Sequence, residues 1–323
     1  MLYPLPLQPL YRRYLWGGRG FATALDRALP PGDDYAESWE LVDRDGDQST
    51  VAAGSLTGRS LSSLREEYGA ALLGRHGGAR FPLLFKFLDA RHDLSVQVHP
   101  DDDRAARLVP PDRGKTEAWY VIDAAPGSRI YAGLRDGVGR DELAAALTAG
   151  RCGDVLHAFE PRRGDCVFIP AGTVHAIGAG LLVAEIQQSS DVTYRLHDWN
   201  RTGPDGKPRA LHLDAGLDAV TRFGPVGPVI PRPMADPATR RLVECPYFVF
   251  DDVHTCTPWR IGGDDGFHVI VVLSGAVEWP PRWGLPPLRR GTTTLVPAAI
   301  GPQVIVPCDR QPAHLLHVAL PAA

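Results

Sequence analysis

The sequence predicts a mostly β chain of short strands with a few helices inserted between them. Three observations predict it. Pro at 30 and Gly at 34 in 323 residues favour many short elements joined by turns. Between these breaks lie short apolar runs that read as strands, among them "FPLLFKFLDA", "EAWYVIDA" and "FHVIVVL". Gly164 precedes Pro170 in "GDCVFIP" and Gly291 precedes Pro297 in "GTTTLVP", each after a strand pair, which reads as two β units in tandem.

The elements follow in order. Residues 37–54, "ESWELVDRDGDQSTVAAG", read as two strands around an Asp45-Gly46 turn. Residues 60–74 read as one helix, capped by Ser60, with Leu61, Leu64, Tyr68, Ala71 and Leu72 on one face and Gly74 ending it. "FPLLFKFLDA" and "LSVQVHP" are strands. "DDDRAARLVPP" is a short helix whose aspartates sit at its positive end. "EAWYVIDAAPG" and "SRIYAGL" are strands, 140–150 is a helix of good formers, and "GDCVFIPAGTVHAIGAGLLVAEIQQ" holds two or three strands. Residues 224–239 are Pro/Gly-rich and read as a linker between units at 1–223 and 240–323. "YFVFDDVH", "FHVIVVLSGAVEW", "TTTLVP" and "QVIVP" are the strands of the second unit.

Composition excludes several classes. A net charge of −4 without a long basic run argues against nucleic acid as the main partner. The first residues carry three prolines and no apolar core of a signal peptide, and no run is long enough to span a bilayer. A cytoplasmic location without membrane contact is expected. The five cysteines form no CxxC, so free, buried or semi-buried thiols are expected rather than disulfides or a thiolate metal site.

The candidate chemistry starts at "SVQVHPDDD". Gln97 and His99 stand at i and i+2, so in a strand they share a face. Glu117 opens a later strand in "GKTEAWYV", and His175 follows a turn in "PAGTVHAIG". Gln97, His99, Glu117 and His175 make an N/O donor set for one divalent ion: zinc, or iron, manganese or cobalt. Asp101, Asp102 and Asp103 read as a helix start. His76, His92, His157, His212, His254, His314 and His317 read as ordinary surface or core residues, and His268 as part of its strand.

The pattern from Gly164 to His175, together with "Q-x-H" and a following Glu, resembles the two motifs of the cupin superfamily. It implies a cupin jelly-roll barrel with helical insertions, followed by a second, degenerate cupin-like β unit without ligands. The longer motifs "FPLLFKFLDA", "LSVQVHPDD", "GKTEAWYV", "GDCVFIPAGTVHAIGAGLLVAEIQQSSDVTYRLHDWNR" and "DGKPRALH" resemble type I mannose-6-phosphate isomerases, over roughly two thirds of the chain. The resemblance implies one Zn²⁺ per chain at Gln97, His99, Glu117 and His175, and an active-site arginine at Arg195. It implies that Lys86, Ser95, Lys115 and Glu185 line a sugar-phosphate pocket. His197 departs from the aromatic expected there.

The implied reaction moves a proton between C1 and C2 of a sugar phosphate through an enediol. A metal ion and a fixed guanidinium suit the charge that develops. Lys86 and Lys115 suit the phosphate; Glu185, Lys115 and a metal-bound water all suit the base. Structural readings stand beside these: Lys86 as a strand lysine reaching the surface, Glu185 as a paired carboxylate, Arg195 as a bridge to Asp191 or Asp198. Trp16, Trp39 and Glu40 read as core beneath the site. Alternative functions on the same barrel are an isomerase of unphosphorylated sugar, an iron dioxygenase, or a sugar-phosphate sensor. Monomer and homodimer are both compatible with the sequence.

Overall fold

A computed structural model describes residues 1–76, 78, 80–202 and 206–322. Four antiparallel sheets stack face to face. The front sheet orders Leu156–Phe159, Ile130–Leu134, His175–Ile177, Val96–Val98 and Tyr194–His197. The middle sheet orders Cys166–Ile169, Glu117–Ala124, Leu181–Gln188, Leu83–Ala90, Tyr35–Leu41 and Leu10–Gly18. Front and middle sheets form the first jelly-roll-like unit. The back sheet is centred on Val249–Thr255, Ala313–Ala319, His268–Ser274 and Thr293–Val296, and the rear sheet holds Trp259–Ile261, Gln303–Pro307, Ala276–Glu278 and Leu288–Arg289. Back and rear form the second unit.

The middle sheet is covered on both faces, which explains the near-continuous apolar run at 81–90. All eight residues of Leu83–Ala90 are buried. Phe85, Phe87, Ala118, Tyr120, Ala184 and Ile186 point backwards into a core shared with Phe248, Phe250, Val269, Val271, Leu316 and Val318 of the back sheet. Each large apolar side chain buried there favours folding by about 1.5–3 kcal/mol. Leu88, Trp119, Val121 and Val183 point forwards against Ile130, Ala132 and Ile177. On the outer face of the front sheet, Val96, Val98 and Leu196 pack with Leu143 and Leu147 of the helix Arg140–Thr148. A further core, including Val253, Ile270, Val272, Trp259 and Ile305, fills the second unit.

Three elements differ from expectation. The helix over 60–74 is split: Leu61–Tyr68 ends at Gly69, whose φ of 45° favours glycine, and Ala70–Leu73 restarts after it. Ser60 caps as expected, its hydroxyl accepting from the Ser63 N–H at 3.2 Å. The N-terminal segment forms strands despite its prolines. Leu5–Gln8 pairs with Thr293–Val296 and with Thr50–Val51, so parts of residues 1–223 complete the back sheet; buried Leu5 and Leu7 hold them there. Residues 224–239 are not a free tether. The Val226 N–H donates to the Ala132 carbonyl at 3.0 Å and the Val229 N–H to the Cys166 carbonyl at 2.8 Å.

The short helix Asp102–Ala105 starts as read: the Asp101 carboxylate accepts from the Arg104 N–H at 2.9 Å. The cysteines are free, but Cys256 is exposed. Among the described residues no helix is long and apolar enough to cross a membrane.

Candidate functional site

The site lies between front and middle sheets, and strand register builds it. In antiparallel pairs, directly opposed residues share a face. In the front sheet Gln97 opposes both His175 and Arg195, which puts the three side chains in one row. In the middle sheet Trp119, Glu185, Lys86 and Trp39 oppose one another in turn, a second row on the face toward the front sheet. Glu117 precedes Trp119 by two and joins that face. Residues scattered over 39–195 thus meet because of pairing.

His99, Glu117 and His175 converge beneath the cavity floor, all fully buried. His99 Nε2 stands 3.5 Å from Glu117 Oε2, and His175 Nε2 stands 3.3 Å from Glu117 Oε1. Backbone carbonyls fix both rings: His99 Nδ1 donates to Val192 O and His175 Nδ1 to Thr173 O, each at 2.9 Å. That bond leaves each Nε2 with its lone pair toward the centre. Gly172 shapes the turn before His175. Its φ is 85°, a side chain there would strike Thr221, and its N–H donates to the His99 carbonyl at 2.8 Å.

The donor set fits a divalent ion. Both Glu117 oxygens and His175 Nε2 are buried without a hydrogen-bond partner, and such orphaned groups cost about 1–3 kcal/mol each. Burial and then the Glu185 charge push the Glu117 carboxyl up to about 7. Burial brings His175 down to about 4 and holds His99 well below the usual histidine range, so both rings are neutral, the form that ligates.

Above the triad opens a cavity of about 780 Å³. Gln97, Ser95, Lys86, Lys115, Glu185 and Arg195 all line it. The Lys115 ammonium stands 3.2 Å from His99 Nε2, 3.2 Å from Glu117 Oε2 and 3.9 Å from Glu185 Oε1. Lys86 does not reach solvent; its ammonium lies 3.4 Å from Glu37 and 3.3 Å from Glu185. Burial works against the Lys86 charge, yet Glu185 and Glu37 outweigh it and hold the group above the ordinary lysine range. Burial likewise opposes the Glu185 charge, and Lys86 and Lys115 overcome it, holding that carboxylate ionised. Trp119 Nε1 donates to Glu185 at 3.0 Å.

Arg195 bridges neither Asp191 nor Asp198. Its Nη1 donates to the Ala210 carbonyl at 3.0 Å, and its buried Nε has no partner. The other guanidinium groups on the cavity wall are engaged: Arg12 with Asp47, Arg13 with Asp34 and Arg209 with Asp198. Among the described residues Arg195 is the cavity guanidinium without a carboxylate partner. Burial, then the neighbouring Arg209, lowers its pKa from the ordinary arginine value.

Trp16 and Trp39 line the cavity rather than only supporting it. Glu40 faces the other way, accepting from Thr293 of the back sheet at 2.8 Å. His197 follows a bulge after Arg195 and packs edge-on to Trp199 at 5.5 Å, off the cavity wall. Asp205, first residue of the "DGKPRALH" motif, lies outside the described residues. Sequence reading missed Glu37, Arg12, Arg13 and Arg209. Glu37 had a signal: it stands two residues before Trp39 on a strand, on the same face.

The comparisons with known proteins agree with this geometry. The family description "phosphomannose isomerase type I, catalytic domain" matches residues 5–123. The mannose-6-phosphate isomerase ManA of Bacillus subtilis is 34% identical over 311 residues, 92% of this chain and 94% of the relative. The mannose-6-phosphate isomerase of Streptococcus mutans is 35% identical over 271 residues, covering 81% and 80%. The crystal structure of the B. subtilis mannose 6-phosphate isomerase superposes with a TM-score of 0.88 at 29% identity, covering 98% of this chain and 99% of that one. The Salmonella typhimurium enzyme, at 16% identity and a TM-score of 0.77, shares the fold. With motifs, sheet order and this length of similarity in agreement, the chain belongs to the type I mannose-6-phosphate isomerase family.

Proposed function

We propose that this chain interconverts mannose 6-phosphate and fructose 6-phosphate by proton transfer through an enediol. In this reading one Zn²⁺ is held by His99, Glu117 and His175, with Gln97 as the fourth ligand. One observation carries the reading: orphaned donor atoms of Glu117 and His175 lie directly under a cavity that also presents Arg195 without a carboxylate partner. The names of the relatives supply the sugar phosphate. When bound, the ion acts as a Lewis acid toward a substrate oxygen.

The protein's own groups do the rest. Arg195 stays charged and offers a planar fork to the developing enediolate or to phosphate. Glu185 is kept ionised by Lys86 and Lys115, so a carboxylate lone pair faces the cavity at neutral pH. Glu185 and Lys115 together carry the proton between C1 and C2. Lys86 holds Glu185 and Glu37 in place. Ser95 offers a hydroxyl to the sugar. Trp16 and Trp39 wall the cavity against water.

The test is an isomerase assay on metal-stripped and Zn²⁺-reloaded protein, with mannose 6-phosphate and free mannose as substrates. Turnover of the phosphorylated sugar is expected only after reloading. Full turnover without metal would sink the reading. Equal kcat/KM on free mannose would remove the phosphate from it.

A further inference from the structure

We infer that Asp252, His254 and His314 form a second divalent-metal site, for a zinc-class ion, on the seam between the two β units. The placement repeats the device of the first unit. Asp252 and His254 stand at i and i+2 on Val249–Thr255, and His314 lies directly opposite His254 on Ala313–Ala319. Gln97 and His99 stand at i and i+2 in the same way, with His175 opposite Gln97. Two residues on one strand and one across the pair bring three donors to one point.

The distances suit an ion. Asp252 Oδ1 lies 3.2 Å from His254 Nε2 and 2.6 Å from His314 Nε2. Ligands bonded to tetrahedral zinc at about 2.0–2.1 Å stand roughly 3.3 Å apart, so only the His314 contact must open. The three ligand atoms all lie within 4.8 Å of one another. The two rings stack with centroids 4.0 Å apart and planes 17° apart. Burial, then the neighbouring His314, keeps His254 below the usual histidine range, which favours the neutral, ligating ring.

The surroundings orient the donors and set the affinity. Asp252 is buried, and its Oδ2 is taken by Arg240, which leaves Oδ1 toward the rings. This guanidinium offsets part of the carboxylate charge, so binding is weaker than at the triad of the first unit. Tyr120 of the middle sheet brings its hydroxyl to 3.3 Å from His314 Nε2, so the cluster touches both units. His254 is exposed, which leaves room for water to complete the coordination. The N/O set with two imidazoles selects zinc-class ions over magnesium or calcium.

The experiment is titration of the metal-stripped full chain with Co²⁺, read by absorption, and with Zn²⁺, read by metal analysis after desalting. Wild type saturates at two equivalents. His254→Ala and His314→Ala each saturate at one and keep isomerase activity, because neither residue lines the catalytic cavity. Glu117→Ala loses the other equivalent, which separates this site from the catalytic one. Excess Zn²⁺ raises the Tm of Glu117→Ala, and adding His314→Ala abolishes that rise. A single equivalent in wild type overturns the inference, as does a second equivalent that survives in both histidine variants.

Discussion

Each β unit gathers histidines and carboxylates in its interior, and the two sets are opposites. In the first unit, Glu117 and His175 keep donor atoms with no partner. In the second, His268 Nδ1 meets His317 Nε2 at 2.9 Å, His268 Nε2 meets Asp264 at 2.8 Å, and His317 Nδ1 meets Asp251 at 3.0 Å. Arg241 closes that chain on Asp251. Histidine content does not distinguish the two; hydrogen-bond satisfaction does. A buried polar atom left unmatched costs free energy that a ligand can recover, whereas a closed chain is already a stable structure.

The sharpest way to break this comparison is to mutate both interiors. Glu117→Ala and His175→Ala are expected to lose metal and to reduce kcat/KM by more than about 10³-fold. His317→Phe is expected to leave kcat/KM within about threefold, since its contacts close within the second unit and far from reacting atoms. Steady-state kinetics beside metal analysis decides it. A folded His317→Phe protein without activity would end the distinction.

Arg195 tests the same logic on a guanidinium. Arg195→Ala is expected to lower kcat about 10²–10³-fold, the range for removing one preorganised donor to developing charge. Arg195→Lys keeps charge but not the fork, so it recovers only part of that loss. Equal kinetics for the two variants would reduce Arg195 to packing.

Lys86 belongs to the satisfied class although it lies in the cavity wall. Lys86→Met strands Glu185 and Glu37 in a buried setting, and a loss of about 3–5 kcal/mol in unfolding free energy is expected. Combining it with Glu185→Gln should recover part of the loss, which a double-mutant cycle by urea denaturation measures. Strict additivity would mean that the pair is not coupled.

What was legible in the sequence follows the range of each signal. The i, i+2 pair Gln97 and His99, the "PAGTVH" turn and the apolar runs are local, and local periodicity exposes them. Register is not local. Nothing in the sequence sets Glu185 opposite both Lys86 and Trp119, so a doubly paired Lys86 read equally well as a surface lysine. His254 and His314 read as isolated residues for the same reason; only pairing of distant strands makes them neighbours. The N-terminal strands were hidden by Pro4, Pro6 and Pro9, which read as breakers. Pro6 survives inside a sheet because it needs only its carbonyl, which accepts from the Ala52 N–H at 2.7 Å. Gly69 was hidden inside an otherwise good apolar stripe.

The smallest expected effect concerns acid stability of the closed chain in the second unit. Burial holds His317 below the ordinary histidine pKa, although its bond to Asp251 pulls the other way. The unfolded chain therefore takes up a proton near pH 6.5 while the folded one resists. Stability from this group is complete above that pH and is lost as pH falls through the window below it. Burial would raise Asp251, but His317 and Arg241 outweigh it and hold its carboxyl low, so its contribution is lost only at more acid pH. His99 and His175 share the histidine trend, so the total slope is not one residue's work. Replacing His317 with Phe should flatten the fall of Tm between pH 7.5 and 5.5, as read by differential scanning calorimetry with the metal load held constant. Parallel curves for wild type and variant would mean that the interior of the second unit does not resist protonation in this range.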